Sequence, residues 1–424
     1  MGDAWIVARG VDTLVLNVFY LDEIGKKRKR ELDEERRMVL EGWKKDAVRL
    51  HDDVPTALVF NDKVLHMAPN GAGRGQWPYM LKTADMTFYV SGGQWNGIAS
   101  IRLSSQYLWS SPGALAAIKA VQSFVDGFFG TEMYLQLSLI DLCVDIAGWS
   151  DVASLDRGQH FVTRSRKGGL YDEGGFAAEM GAREYMMGLQ RTGFDFGRSG
   201  KGVGALSCRL YDKTREVKKS GKEWLYDLWY GRGWSEVDGP VWRVEFSFKR
   251  EALHELRQEV AGVEQFHGIE DAYEVPDRLP LLWAYAAGQV EGGPDGLPDG
   301  WLRCVLPGKD KNRARWQTHP AWKVVQGAFL EEVEVPPQFG KVVRKRWERH
   351  NINEGVEAVI GYLSSLAAWA VNDVPMLARD DLDLSMVLHW LAGEGEAYLT
   401  RVERDFTREV QRKRIKFGVS CVME

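Results

Sequence analysis

The sequence predicts an α+β fold: antiparallel sheets flanked by helices, followed by an additional, mainly helical C-terminal region. Three observations predict it. Between Ala57 and Leu103, short β-branched and aromatic runs alternate with the turn signals Asn61-Asp62, Asn70-Gly71-Ala72-Gly73 and Ser91-Gly92-Gly93, the chemistry of tight hairpins. Residues 111–129 open on Ser-Pro-Gly and repeat apolar side chains at Leu115, Ile118, Val121 and Val125, which gives a helix one face to lay on that sheet. Beyond the Gly/Pro-rich run 292–298 (GGPDGLP) the pattern changes to helical periodicity over 355–371, 384–391 and 398–416.

In chain order, residues 5–20 (WIVARGVDTLVLNVFY) are β-branched and aromatic, with alternation from Val11 onward, and read as a strand. Residues 26–37 (KKRKRELDEERR) mix charges at i,i+4 spacing, as at Arg30 and Glu34, and read as a solvated helix rather than a DNA-binding tail. Residues 135–146 (LQLSLIDLCVDI) form an apolar strand whose only charges are two aspartates. After a Gly-rich stretch over 150–190, residues 194–213 and 241–249 read as further strands, separated by a charged, aromatic insertion over 214–239; a helix from Arg250 to about Val263 closes the block. The expected domains are 1–265, a linker over 266–300, and a helical region over 301–424 for DNA or partner binding. No fixed-period repeat is visible.

Length and composition set the outer limits. A chain of 424 residues, 45% hydrophobic and 27% charged, is long enough for two or three domains that each contain a core, and it is neither collagen-like nor low-complexity. A formal charge of −5 excludes a protein that coats nucleic acid by bulk charge, so contact with phosphate must come from local patches. No apolar run approaches the roughly 20 residues of a membrane span, and the N-terminus lacks a basic region followed by an apolar stretch. A cytoplasmic location without membrane contact is expected. Cys143, Cys208, Cys304 and Cys421 are far apart with no CxxC spacing, which fits buried thiols better than disulfides or zinc.

Three strands carry the chemistry. Asp141 and Asp145 lie four apart on one strand and therefore on one face; two carboxylates in an apolar strand call for metal or arginine partners, unless one merely caps a turn. Arg209, Tyr211 and Lys213 alternate on another face, so the phenol is flanked by two cations that favour phenolate and attract phosphate, as a nucleophile requires. Glu216 follows three residues on, and Arg243 and Glu245 share a face of the next strand. The plain alternative is a cross-strand salt-bridge lattice around an ordinary packed tyrosine.

The ordered set Leu139-Ile140-Asp141-Leu142-Cys143-Val144-Asp145, Phe196-Gly197-Arg198-Ser199, Arg209-Leu210-Tyr211-Asp212-Lys213 with Glu216, and Trp242-Arg243-Val244-Glu245 resembles the Rep-trans family of rolling-circle plasmid replication initiators and the related MobT relaxases of integrative conjugative elements. Gly10-Val11-Asp12-Thr13-Leu14 resembles the family's first strand, and the similarity spans roughly residues 8–260. The resemblance implies an antiparallel sheet with flanking helices in two similar halves. It also implies a tyrosine that attacks a DNA phosphodiester at an origin, leaving a free 3′-OH and a 5′-phosphotyrosyl link. Carried over by position, Tyr211 is the nucleophile with Arg209, Lys213 and Arg243 around it. Glu245 and Asp145, with Asp141 and Glu216 behind them, are the ligands of Mg²⁺ or Mn²⁺. The partners implied are origin DNA with a single-stranded or cruciform nick site, a helicase or coupling protein, and a second copy of the chain. A conjugative relaxase of the same chemistry and a non-catalytic origin-binding protein are the rival readings.

The chain departs from the family pattern at Leu139, where an arginine is usual, in the Trp/Tyr-rich insertion after Glu216, and in the tail beyond residue 265. No His-x-His triplet supports a histidine metal site. The glycine-rich run 197–204 lacks P-loop spacing and reads as a hairpin whose Arg198 and Lys201 are candidate phosphate contacts. Trp316 beside Arg313 and Arg315, and Trp347 within 341–349 (KVVRKRWER), are candidate base-stacking rings. On residues 398–416, Arg401, Arg404, Arg408 and Arg412 fall in one sector opposite Val402, Phe406 and Val410, an amphipathic basic helix.

Overall fold

The computed structural model describes residues 4–22, 27–28, 31–91, 97–110, 113–165, 182–187, 190–199, 202–260, 263–290, 299–330, 341–344, 352–402, 405–408 and 410. The first half of the sheet-forming chain runs β1 (Trp5–Leu21), β2 (Lys27–Arg28), α1 (Glu34–Leu50), β3 (Val54–Phe60), β4 (Lys63–Met67), β5 (Tyr79–Lys82), β6 (Met86–Val90), β7 (Ala99–Leu103), α2 (Ser105–Ser110) and α3 (Ala114–Phe129). The second half runs β8 (Met133–Ala147), α4 (Arg157–His160), β9 (Phe161–Thr163), β10 (Ala182–Met187), β11 (Gln190–Ser199), β12 (Gly202–Asp212), α5 (Lys213–Ser220), α6 (Trp224–Tyr230), β13 (Trp242–Lys249) and α7 (Arg250–Glu255). Then come β14 (Leu256–Val260), β15 (Val263–His267), α8 (Val275–Ala287), β16 (Leu302–Cys304), α9 (Pro320–Gln326) and β17 (Lys341–Arg344).

One antiparallel sheet organises these elements, in the order β10-β11-β12-β13-β8-β1-β7-β6-β5-β4-β3, with β2 paired to β1. The two long strands β1 and β8 lie side by side at its centre, in register from Trp5 opposite Ala147 to Tyr20 opposite Met133. In each half the first strand is central, the last strand lies beside it, and the strands between run out to the edge. The two halves thus share one topology, as the resemblance implied.

Period-2 alternation divides the second half into two faces. One is apolar: Ile140, Leu142, Val144, Val244, Phe246, Phe248 and Leu210 are fully buried, each such side chain contributing about 1.5–3 kcal/mol on leaving water. On that side Phe246 meets Trp283 of α8 edge-on. The indole of Trp283 donates to the Val325 carbonyl at 2.7 Å and that of Trp322 to the Ala287 carbonyl at 3.0 Å, so these buried rings leave no orphaned donor. The opposite face carries Asp141, Asp145, Arg209, Tyr211, Arg243 and Glu245.

Several boundaries differ from expectation. The helix expected from residue 26 begins at Glu34, where the Asp33 side chain accepts from the Arg36 amide at 3.0 Å. Glu34 and Glu35 suit the positive end of the helix dipole, whereas the basic residues before them would not; Lys27 and Arg28 pair with β1 instead. The helix expected over 250–263 stops at Glu255, because β14 finds backbone partners in β15 and in the distant β17. The expected linker 266–300 contains α8, eight of whose residues are buried in the core. Residues 291–298 lie outside the described residues.

The chain divides into two compact units, Met1–Lys345 and Arg346–Glu424. The second contains α10 (Ile352–Ala370) and α11 (Leu384–Arg401), with Leu363, Ala367, Leu377 and Val387 as its small core. The amphipathic helix expected over 398–416 is not continuous: α11 ends at Arg401, and a new turn begins at Asp405, whose side chain accepts from the Arg408 amide at 2.8 Å. Its remainder and Cys421 lie outside the described residues, as do Lys201 and Trp347. Cys143, Cys208 and Cys304 are free, buried thiols. Among the described residues no helix is long and apolar enough to cross a membrane.

Candidate active site

Cross-strand register gathers the site. Tyr211 lies opposite Arg243, which lies opposite Asp145, and Arg209 lies opposite Glu245. One step along, Ser247 and Thr13 flank Asp141 from either side. Directly opposed residues of antiparallel strands point to the same face, so four neighbouring strands present one polar surface. On the outer side β11 places Gly193 opposite Tyr211. A Cβ there would stand 2.4 Å from the Leu210 carbonyl oxygen and 2.9 Å from the Tyr211 Cα, so only glycine lets β11 close on the tyrosine strand.

Tyr211 donates its hydroxyl proton to Glu245 Oε2 at 3.0 Å, and the other oxygen of Glu245 is paired with Arg209. The Lys213 ammonium lies 3.5 Å from the Tyr211 oxygen and pairs with Glu216. Arg209 and Lys213 each also lie 5.5 Å from the centre of the tyrosine ring. The two cations expected beside the phenol are therefore in place. Their expected effect is not: burial, and next the Glu245 carboxylate, push the phenol well above its ordinary value and outweigh Arg243 and Arg209. In this state the tyrosine is a neutral donor, and its proton is already aimed at a base.

Beneath it lies an ion-pair network centred on Arg243 and Asp145, both fully buried. Arg243 grips Asp145 with two bonds, Nε to Oδ1 at 2.6 Å and Nη2 to Oδ2 at 2.8 Å, and reaches Asp12 Oδ1 with Nη1 at 2.6 Å. The indole of Trp229 on α6 adds a donor to Asp145 Oδ2 at 3.0 Å. Burial acts to raise the pKa of Asp12, but Arg243, Lys213 and Lys222 outweigh it and hold its carboxyl below the usual range. Lys213 is shifted down by burial and then by Arg243.

Asp141 is the exception among the carboxylates. Its Oδ1 is buried without a hydrogen-bond partner. Burial, and next the charge of Glu245, raise its pKa to about 6 against the opposing effect of Ser247 and Thr13. This is a place where the face lacks a positive charge. Asp145 and Glu216 are instead engaged by Arg243 and Lys213, so the four carboxylates proposed as ligands are not free to surround one ion. Among the described residues no three His, Cys, Asp or Glu side chains gather as a metal-holding group. The oxygen open to a divalent cation is thus Oδ1 of Asp141; both oxygens of Glu245 beside it are engaged, by Arg209 and Tyr211.

Two contributors were given no role from the sequence. Asp12 was visible as a lone carboxylate in an apolar strand; it sits where the β1–β8 register shifts between Val11 and Thr13, which turns it towards Arg243. Trp229 carried no local signal beyond the aromatic richness of its segment.

No protein-family profile and no curated protein sequence matches the chain. Among solved structures it is similar to the rolling circle replication initiator protein from Geobacillus stearothermophilus, at 14% identity over 76% of this chain and 96% of that one, with a TM-score of 0.38.

Proposed function

We propose that the protein is an origin-specific DNA nicking-closing enzyme of a plasmid or mobile element, with Tyr211 as nucleophile. The observation that carries this reading is the Tyr211 hydroxyl bonded to the Glu245 carboxylate at 3.0 Å between two cations. Glu245 takes the phenolic proton as the Tyr211 oxygen attacks phosphorus. Arg209 faces the charge that develops on the non-bridging oxygens. As the bond to the 3′-oxygen breaks, Lys213, made more acidic by burial and by Arg243, protonates the leaving oxygen and is relieved of its charge beside Arg243. The products are a free 3′-OH and a 5′-phosphotyrosyl bond, which conserves the energy needed for rejoining. Arg243, held by Asp145 and Asp12, positions the face from beneath. A Mg²⁺ or Mn²⁺ held at the open oxygen of Asp141 would neutralise a non-bridging phosphate oxygen.

The test is incubation of the full chain and Mg²⁺ or Mn²⁺ with a supercoiled plasmid carrying the DNA that flanks its coding sequence. Relaxation together with a protein-linked 5′ end is expected from the parent, and neither from Tyr211→Phe. An undiminished adduct in that variant would transfer the role to another residue, such as Tyr226. The engagement of Asp145 and Glu216 in ion pairs favours one rival, a non-catalytic origin-binding protein; origin binding by the parent without any adduct selects it. Replication initiator and conjugative relaxase share this chemistry, and differ in whether the flanking DNA supports replication or transfer of a plasmid.

A further inference from the structure

The Trp/Tyr-rich insertion after Glu216, residues 217–239, departs from the family pattern and takes no direct part in the chemistry above. Its inner side is a core of its own, in which Val217, Leu225, Trp229 and Trp234 pack with Val7 and Val241. Its outer side is unusual. Tyr226, Tyr230 and Trp234 form a nearly parallel set of rings: Tyr226 and Trp234 are 5.9 Å apart at 18°, Tyr226 and Tyr230 6.2 Å at 28°, and Tyr230 and Trp234 5.4 Å at 34°. Trp229 braces the set edge-on, at 89° to Tyr226 and 78° to Trp234. Tyr230 is 50% exposed, so the set ends on an open aromatic surface.

This platform is fastened to the reacting face, because the brace Trp229 is the residue that donates to Asp145. Three lysines stand near it, among carboxylates of which Glu223 and Glu236 act on Tyr226. α5 starts directly after the tyrosine strand and ends in Lys218 and Lys219, both exposed, and Lys222 lies close enough to act electrostatically on Asp12 and Glu216. None of these three lysines makes an ion pair among the described residues.

We infer that the α5–α6 insertion is a seat for single-stranded DNA flanking the scissile phosphate, with Lys218, Lys219 and Lys222 on its phosphates and Tyr230 at the head of a base-stacking platform. The location of the reacting phosphate rests on the function proposed above. Rings can stack on any base, but only on one already out of the duplex, so the seat selects single strands without reading sequence. That suits a strand that must be held while its neighbouring bond is opened.

The test is equilibrium binding of the full chain to a fluorescent dT20 oligonucleotide and to a 20-base-pair duplex, at several salt concentrations without divalent metal. Tyr230→Ala is expected to weaken dT20 binding by about 5-fold or more, with the salt dependence and duplex binding unchanged; Tyr230→Trp is expected to restore it. Replacing Lys218, Lys219 and Lys222 together by Gln is expected to reduce the slope of log affinity against log salt by about 2. Affinity of Tyr230→Ala for dT20 within 2-fold of the parent, equal losses on duplex, or an unchanged slope in the lysine variant overturns the inference. The readout needs no cleavage, which separates the two readings. A covalent adduct from a protein whose Tyr230→Ala variant binds dT20 normally overturns the seat alone, while the expected binding losses without any adduct overturn the nuclease alone.

Discussion

Asp141 should make the protein less stable at neutral pH than in mild acid, and Asp141→Asn should remove that penalty. Its carboxyl is raised from 3.8 to about 6 in the folded protein, so between these values the native state binds more protons than the unfolded chain, and stability falls as pH rises. The penalty is absent below 3.8 and complete above about 6. A shift of about 2 pH units corresponds to ~3 kcal/mol at 1.36 kcal/mol per unit. Asn removes the charge and keeps the shape, and its amide can donate towards Glu245, so Asp141→Asn is expected to be more stable than the parent at pH 7.5 by up to about 3 kcal/mol. At pH 5, between the two values, about 1.6 kcal/mol of the penalty is still present, so roughly half of that gain should vanish. Urea denaturation of both proteins at the two pH values, in EDTA, measures this directly. The Asp141→Asn gain at pH 7.5 being absent, or equally large at pH 5, would refute the reasoning. If Asp141 is also the open ligand for a cation, Mg²⁺ or Mn²⁺ should raise the stability of the parent at pH 7.5 and leave Asp141→Asn unaffected.

Two further outcomes follow from the same geometry. Arg243→Met would leave the buried Asp145 without its two strongest bonds and strip the partner from Asp12, so it should cost about 3–5 kcal/mol in denaturant, and the added change Asp145→Leu should recover part of it. A chain ending at Lys345 should still fold, with a near-ultraviolet spectrum of ordered aromatic rings that is lost cooperatively in urea, since the units divide there. One ending at 265 should not, because it lacks Trp283 and Trp322, which are fully buried in the main core.

What was legible in the sequence was whatever is local or periodic. The strands 5–20, 135–146 and 241–249 and the helix near 111–129 were visible because their side chains alternate or recur against a single core face. The site was legible for the same reason: Arg209 and Tyr211, Arg243 and Glu245, and Asp141 and Asp145 each sit at even spacing on one strand, so each pair shares a face whatever the tertiary structure. Partnership was not legible. Asp145 could have answered to a metal or an arginine, and only the register of β13 against β8 gives it to Arg243. The state of Tyr211 was misjudged because spacing reveals its cations but not the depth of burial or the aim of Glu245. β14 was missed although its hairpin partner β15 is adjacent in sequence, and its other partner, β17, lies over 80 residues further on.

The central pairing of β1 with β8 has a consequence for how the chain is made. Trp5 meets its partner only when Ala147 has been synthesised. At roughly 5–20 residues per second, that interval is on the order of 10–30 s. The Leu14–Val18 portion can pair earlier with β7, but among the described residues the Trp5–Val11 portion has no strand neighbour other than β8. The first strand to leave the ribosome is thus among the last to be paired along its whole length, and its Trp5–Val11 portion is the part that waits. Non-local closure of this kind is slow and leaves the nascent first half exposed to aggregation, so recombinant yield should rise with chaperone co-expression and at low temperature.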